Sequence, residues 1–209
     1  MARILIIDNY DSFVYNLVQL VREVERDYSY NVLRVDELKG DEAEGYDGLI
    51  ISPGPGLPTD QAMMMSTLAN FASLSKPILG ICLGCQAIAL HFGYKLKHLS
   101  APLHGHTSAL RHSSKGILQA LSDGTAIARY HSWVVDLESL SPEAGELTEE
   151  GYCEDIDGKQ TMVVRHKDLP IWGLQFHPES IITTDGASYI AAWLSLVDNY
   201  INSPKNRQQ

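Results

Sequence analysis

Through the first half of the chain, short apolar runs alternate with longer stretches whose apolar positions recur every three or four residues. The runs at 3–7, 31–35, 48–52 and 77–81 predict strands. Between the first two, Asp11-Ser12 reads as a helix N-cap, followed by an apolar face of Phe13, Leu17, Leu20, Val21 and Val24. A second helix is expected from Thr59-Asp60 through Met63, Met64, Leu68 and Phe71, with the methionines in the core. A third opens just after Cys82 and passes Ile88, Ala89 and Phe92. Strand and helix in alternation build a mostly parallel sheet flanked by helices, so the expected fold class is α/β.

After Tyr94 the texture changes. Candidate strands at 107–111, 126–130, 133–137, 161–165 and 171–176 are separated by turn residues, which predicts a smaller antiparallel extension. A last amphipathic helix follows Asp185-Gly186 through Tyr189, Ile190, Trp193, Leu194 and Val197. No repeat or low-complexity linker marks a boundary, so one domain over 1–200 and a polar tail over 201–209 are expected.

Composition removes several function classes. A formal net charge of −10, with no basic stripe, argues against binding a nucleic-acid backbone. The opening apolar run is too short to span a membrane and lacks a secretory cleavage pattern, so a cytoplasmic protein is expected. Cys82, Cys85 and Cys153 are an odd set in a chain of ordinary length, which points to chemistry rather than a disulfide framework.

The chemistry centres on Gly80-Ile81-Cys82-Leu83-Gly84, an apolar strand running through Gly-x-Cys-x-Gly into a helix. This is a nucleophile elbow carrying sulfur: the glycines permit a turn too tight for side chains, and the helix N-terminus suits an anionic sulfur. Downstream stands Phe176-His177-Pro178-Glu179-Ser180. In an extended segment residues two apart share a face, so His177 can meet the thiol while Glu179 orients the imidazole. Ser52-Pro53-Gly54-Pro55-Gly56 would bring a glycine-rich loop to the same crevice, and the backbone N–H groups of Gly56 and Leu83 are candidate donors to a tetrahedral oxyanion. His98, His104, His106 and His112 have no Cys or carboxylate at ligand spacing beside them, so no metal is expected.

Together these motifs resemble the triad-type (class I) glutamine amidotransferases. Asp8-Asn9-Tyr10-Asp11-Ser12-Phe13 with Tyr15-Asn16-Leu17-Val18-Gln19, and Arg129-Tyr130-His131-Ser132, are similar to the glutaminase subunits of anthranilate synthase and aminodeoxychorismate synthase. The resemblance implies a Cys82, His177 and Glu179 triad that hydrolyses L-glutamine through a γ-glutamyl thioester. It implies that Gly54, Pro55, Gly56, Gln86, Ser132 and Trp133 hold the substrate. It further implies a larger chorismate-using synthase partner that receives the ammonia, with no cofactor in this subunit. Three positions depart from the family pattern: Cys85 stands for His, Val14 for Thr and His106 for Lys.

Other readings stay open at this point. Cys82-Leu83-Gly84-Cys85 is a C-x-x-C motif, so a thiol–disulfide redox protein is the rival enzyme class. It accounts for neither the Phe-His-Pro-Glu segment nor the Pro-Gly-Pro-Gly loop. The remaining alternatives are a free-standing γ-glutamyl hydrolase and a non-catalytic interaction subunit.

Overall fold

The computed structural model describes residues 2–24, 28–140 and 145–204. Its elements in chain order are β1 (Ala2–Asp8), α1 (Val14–Glu23), β2 (Tyr28–Arg34), β3 (Gly48–Ile51), α2 (Ala62–Ser73), β4 (Ile78–Ile81), α3 (Leu83–His91), β5 (Lys95–His98), β6 (His106–His112), β7 (Thr125–Arg129), β8 (Trp133–Asp136), β9 (Leu147–Asp155), β10 (Gly158–His166), β11 (Ile171–Leu174) and α4 (Gly186–Asn202). A nine-stranded sheet runs in the order β2-β1-β3-β4-β11-β10-β9-β6-β7. From β2 to β11 neighbours are parallel; from β11 onward every pairing is antiparallel. A second, two-stranded sheet joins β5 to β8. The expected α/β architecture with an antiparallel extension is therefore present.

The central parallel strands β3, β4 and β11, and β1 over Ile4 to Ile7, are apolar on both faces because helices cover both. Alternate residues of β1 separate cleanly: Ile4 and Ile6 join a cluster with α1 and α4, while Leu5 and Ile7 join one with α2 and α3. Trp193, Tyr189 and Phe71 are wholly buried and anchor the two layers.

Several expectations need correction. The first helix starts at Val14, and no side chain caps it; the Asp11 carboxylate instead accepts the Phe13 N–H at 3.1 Å in a turn ahead of the helix. Phe13 consequently leaves the apolar face and stands 46% exposed. Met63, expected in the core, is 38% exposed, whereas Met64, as expected, points inward. The second helix begins at Ala62, after a short 3₁₀ turn over Pro58–Asp60. Strand β11 stops at Leu174, so Gln175 and Phe176 already belong to the following loop. The last helix runs on to Asn202, past the expected start of the tail, and 205–209 lie outside the described residues.

Strands β5 and β9 have no counterpart in the hydrophobic pattern. Strand β9 carries Glu149 and Glu150, charged residues that an apolar strand pattern does not pick out. In the sheet, Glu149 accepts from Thr161 at 2.8 Å and pairs with Lys159, and Glu150 accepts from Arg165 at 2.8 Å. Cross-strand partners on β10 thus compensate charges that a strand disfavours.

Candidate active site

Strands β1, β3, β4 and β11 are parallel neighbours, so their carboxyl ends open on one edge of the sheet, where ligands bind in α/β folds. The four loops leaving that edge begin at Asn9, Ser52, Cys82 and Gln175. The first two are pinned together: Asn9 N–H donates to Ser52 Oγ at 3.1 Å, and the Asn9 amide to the Ser52 carbonyl at 3.0 Å.

Cys82 occupies the N-cap of α3 with φ 50° and ψ −98°, a left-handed backbone that a non-glycine residue adopts only at a cost of about 1–3 kcal/mol. The elbow geometry requires it. A Cβ at Gly80 would lie 2.3 Å from the Gly84 carbonyl oxygen, and one at Gly84 would lie 2.5 Å from that of Ile51. The backbone N–H of Cys82 donates to the Leu174 carbonyl at 2.7 Å, which ties the elbow to β11. Cys85 points the other way, into the cluster with α2, while Cys82 belongs to the opposite cluster. Burial, and secondarily the neighbouring Cys82, push the Cys85 thiol well above the usual range. This disfavours the thiolate that disulfide exchange needs, and all three cysteines are free.

His177 Nδ1 and Glu179 Oε1 are 2.6 Å apart, both side chains buried. The expected alternation of an extended segment is not what brings them together. Residues 178–179 form a turn, closed by a Ser180 N–H to His177 carbonyl bond of 3.3 Å. The loop is clamped from β7, where the Ala128 carbonyl accepts His177 N–H at 3.0 Å, and by Thr183, whose hydroxyl donates to the His177 carbonyl at 2.6 Å. The Tyr130 ring stands edge-on to the imidazole, centroids 5.1 Å apart. Burial alone would lower the proton affinity of His177; the adjacent Cys82 and the Glu179 carboxylate more than offset it and hold His177 above the usual histidine range. His177 Nε2 is buried without a hydrogen bond, a nitrogen left available for proton transfer.

A cleft of about 470 Å³ opens beside Cys82. Gly54, Pro55, Gly56, Leu83, Gln86, Ser132 and Trp133 all line it together with Cys82, so these expected site residues converge. His177 and Glu179 are not on its wall. Gly56 has φ +78°, which keeps its position glycine, and Leu83 is the first residue of α3, where N–H groups lack intrahelical partners. A larger cleft of about 710 Å³, walled by β6 and the β9–β10 turn, contains none of the expected catalytic residues. His106 belongs to that second cleft.

Sequence reasoning gave no role to three neighbours of the triad, Gln175, His131 and Asp11, nor to Arg129 behind His131. Gln175 is wholly buried, with Nε2 3.7 Å from Cys82 Sγ. His131 is buried, and its Nε2 accepts from Arg129 Nε at 3.2 Å. Arg129, itself buried, also pairs with Asp155 at 2.6 Å and with Gln160. Asp11 lies close enough that burial first, then the Glu179 charge, raises its carboxyl above the ordinary range. The available signal lay in the motifs themselves: Asp11, Arg129 and His131 stand inside segments already singled out, and Gln175 stands two residues before His177.

Comparison with known proteins follows the same lines. Residues 5–196 match the family model "Glutamine amidotransferase class-I". The chain is 40% identical over 195 residues to anthranilate synthase component 2 of Pseudomonas aeruginosa, covering 91% of this chain and 94% of that protein. It is 38% identical over 205 residues to aminodeoxychorismate synthase component 2 of Serratia marcescens, covering 95% and 99%. Against the bifunctional protein TrpGD of Thermotoga maritima it is 41% identical over 200 residues, covering 95% of this chain and spanning 33% of that longer protein. Among solved structures, the glutaminase domain of Trypanosoma brucei CTPS superposes with a TM-score of 0.77 at 15% identity, covering 95% of this chain and 94% of that one, a likeness of fold. With a family match across nearly its whole length and two component 2 relatives covered almost end to end, this chain belongs to the class-I glutamine amidotransferase family.

Proposed function

We propose that this chain hydrolyses L-glutamine to glutamate and ammonia, with Cys82 as nucleophile, His177 as general base and acid, and Glu179 as the residue that orients it. The observation that carries the reading is the 2.6 Å His177–Glu179 contact beside a cysteine held at a left-handed strand-to-helix turn. Cys82 Sγ, its proton already passed to His177 Nε2, attacks the side-chain carbonyl carbon of glutamine as the thiolate. The oxyanion is received by the backbone N–H groups of Gly56 and Leu83. The tetrahedral intermediate collapses as His177 returns the proton to the leaving nitrogen, releasing ammonia and a γ-glutamyl thioester. Water activated by the same imidazole then cleaves the thioester, restoring the thiol and giving glutamate. Gly54, Pro55, Gly56, Gln86, Ser132 and Trp133 hold the substrate in the cleft.

Ammonia is delivered to a larger chorismate-using synthase subunit. The support is the pair of relatives named as component 2 of anthranilate synthase and of aminodeoxychorismate synthase. Anthranilate is the primary reading of the product, and aminodeoxychorismate, or both through one shared subunit, the alternative. Residues 1–200 act as one amidotransferase domain. A cytoplasmic setting fits three free thiols, which suit a reducing compartment, and no helix among the described residues is long and apolar enough to cross a membrane. The test is glutamate release from glutamine by wild type and Cys82→Ala, each alone and with a candidate synthase subunit. Activity confined to wild type and raised by the synthase supports the reading; equal release by both proteins overturns it.

A further inference from the structure

We propose that Gln175 is a further working residue of the nucleophile site: its amide N–H donates to Cys82 Sγ, favouring the anionic sulfur and fixing its aim, and Trp133 sets the direction of that donor through Gln86. The inference rests on Cys82 being the nucleophile.

Gln175 is wholly buried immediately beyond β11, where an apolar side chain would pack at lower cost. Both ends of its amide are used. Nε2 lies 3.7 Å from Cys82 Sγ, and Oε1 accepts from Gln86 Nε2 at 3.3 Å. The sense of this chain follows from its far end. The Trp133 carbonyl, 2.9 Å from Gln86 Nε2, can only accept, so Gln86 must turn its N–H₂ that way. The same N–H₂ faces Gln175, which must answer with its carbonyl oxygen and leave its own N–H₂ toward the sulfur. A flipped Gln175 would set two N–H₂ groups against each other and a carbonyl oxygen against the thiolate. A donor on a charged acceptor makes a stronger hydrogen bond than one on a neutral acceptor, so the Gln175 contact strengthens when the sulfur is anionic. Gln86 and Trp133 also line the cleft beside Cys82, which makes the polarity of the nucleophile's surroundings depend on residues facing the substrate.

The test is iodoacetamide alkylation of Cys82, followed by peptide mass mapping across a pH series, in the full chain. Wild type, Gln175→Met, Gln175→Glu and Gln86→Met are compared, each checked for folding by thermal melting. In Gln175→Met the pH of half-maximal alkylation rises by about one unit, the value of a tenfold loss in thiolate preference. In Gln175→Glu it rises further, because a carboxylate then faces the sulfur. In Gln86→Met, where the donor is present but no longer steered, it moves the same way by less. An unchanged midpoint in folded Gln175→Met and Gln175→Glu overturns the proposal; should neither fold, an unchanged midpoint in Gln86→Met does so. Failure of the underlying reading looks different: wild-type Cys82 would alkylate no faster than the same thiol in denaturant, which overturns both.

Discussion

His131 is the residue whose chemistry departs furthest from its ordinary behaviour. Burial, then the Arg129 charge, then His177 lower its pKa from 6.5 to about 3, so the ring stays neutral in the folded protein. Arg129 can only donate, which leaves the His131 proton on Nδ1. Between the two values the unfolded chain binds the proton and the folded chain does not, so this contribution to stability is lost as pH falls below the unfolded histidine value of about 6.5. His177 has the opposite sign: its raised folded value gives stability that is full below the ordinary histidine range and lost only as pH rises through the raised value. The two effects therefore occupy different windows. For His131→Gln, whose amide oxygen can still accept from Arg129, the stability difference from wild type should shift by about 2 kcal/mol in the variant's favour between pH 6.5 and pH 5. Urea unfolding at both pH values measures it, and a pH-independent difference contradicts the assignment.

At the scale of elements, the tightest constraint is the β4–α3 elbow. With Gly84 carbonyl carbon and oxygen both within 2.4 Å of a Cβ placed on Gly80, Gly80→Ala must push α3 away from the sheet. A loss of at least about 3 kcal/mol is expected, at the upper end of common point-mutation effects. The thermal midpoint of soluble protein measures it; a variant that melts with wild type would show that the turn can open. This elbow was legible in the sequence because its requirement is local: two glycines around a cysteine between an apolar run and an amphipathic one. The central parallel strands were legible for the same kind of reason, since strands buried on both faces are continuously apolar. Strand β9 was not, because Glu149 and Glu150 are tolerated only through partners on β10, a fact of pairing rather than of local pattern. Phe13 and Met63 sit at helix starts, where a small shift of the first turn decides which side a residue faces. Gln175 and His131 stand in or next to segments the sequence singled out, but their roles depend on contacts with Cys82 and Arg129 that only the folded chain makes.

Across the whole molecule, the parallel half carries the elbow at Cys82, while β7 of the antiparallel half clamps the His177 loop. Arg129 ties that half together, reaching Ser108 on β6, Asp155 on β9 and Gln160 on β10 from its place on β7. Asp155 accepts from the Gln160 amide and the Asp157 N–H as well, so the guanidinium is the hub of a small polar network. Arg129→Ala leaves the part-exposed Asp155 carboxylate and the buried Gln160 oxygen without their donor, which should cost about 1–3 kcal/mol and loosen the His177 clamp with it. Denaturant unfolding gives the first effect and glutaminase rate in the folded fraction the second; a near-neutral change would mean that water replaces the guanidinium without loss. The central claim, that these two halves meet to make Cys82 a nucleophile toward glutamine, is tested most directly by a glutamine-analogue diazo-ketone and peptide mass mapping, in wild type and Cys82→Ala, with candidate synthase subunits present. The account predicts a single adduct on Cys82, none on Cys85 or Cys153, and none in the variant. Absence of an adduct on Cys82 under those conditions would contradict it.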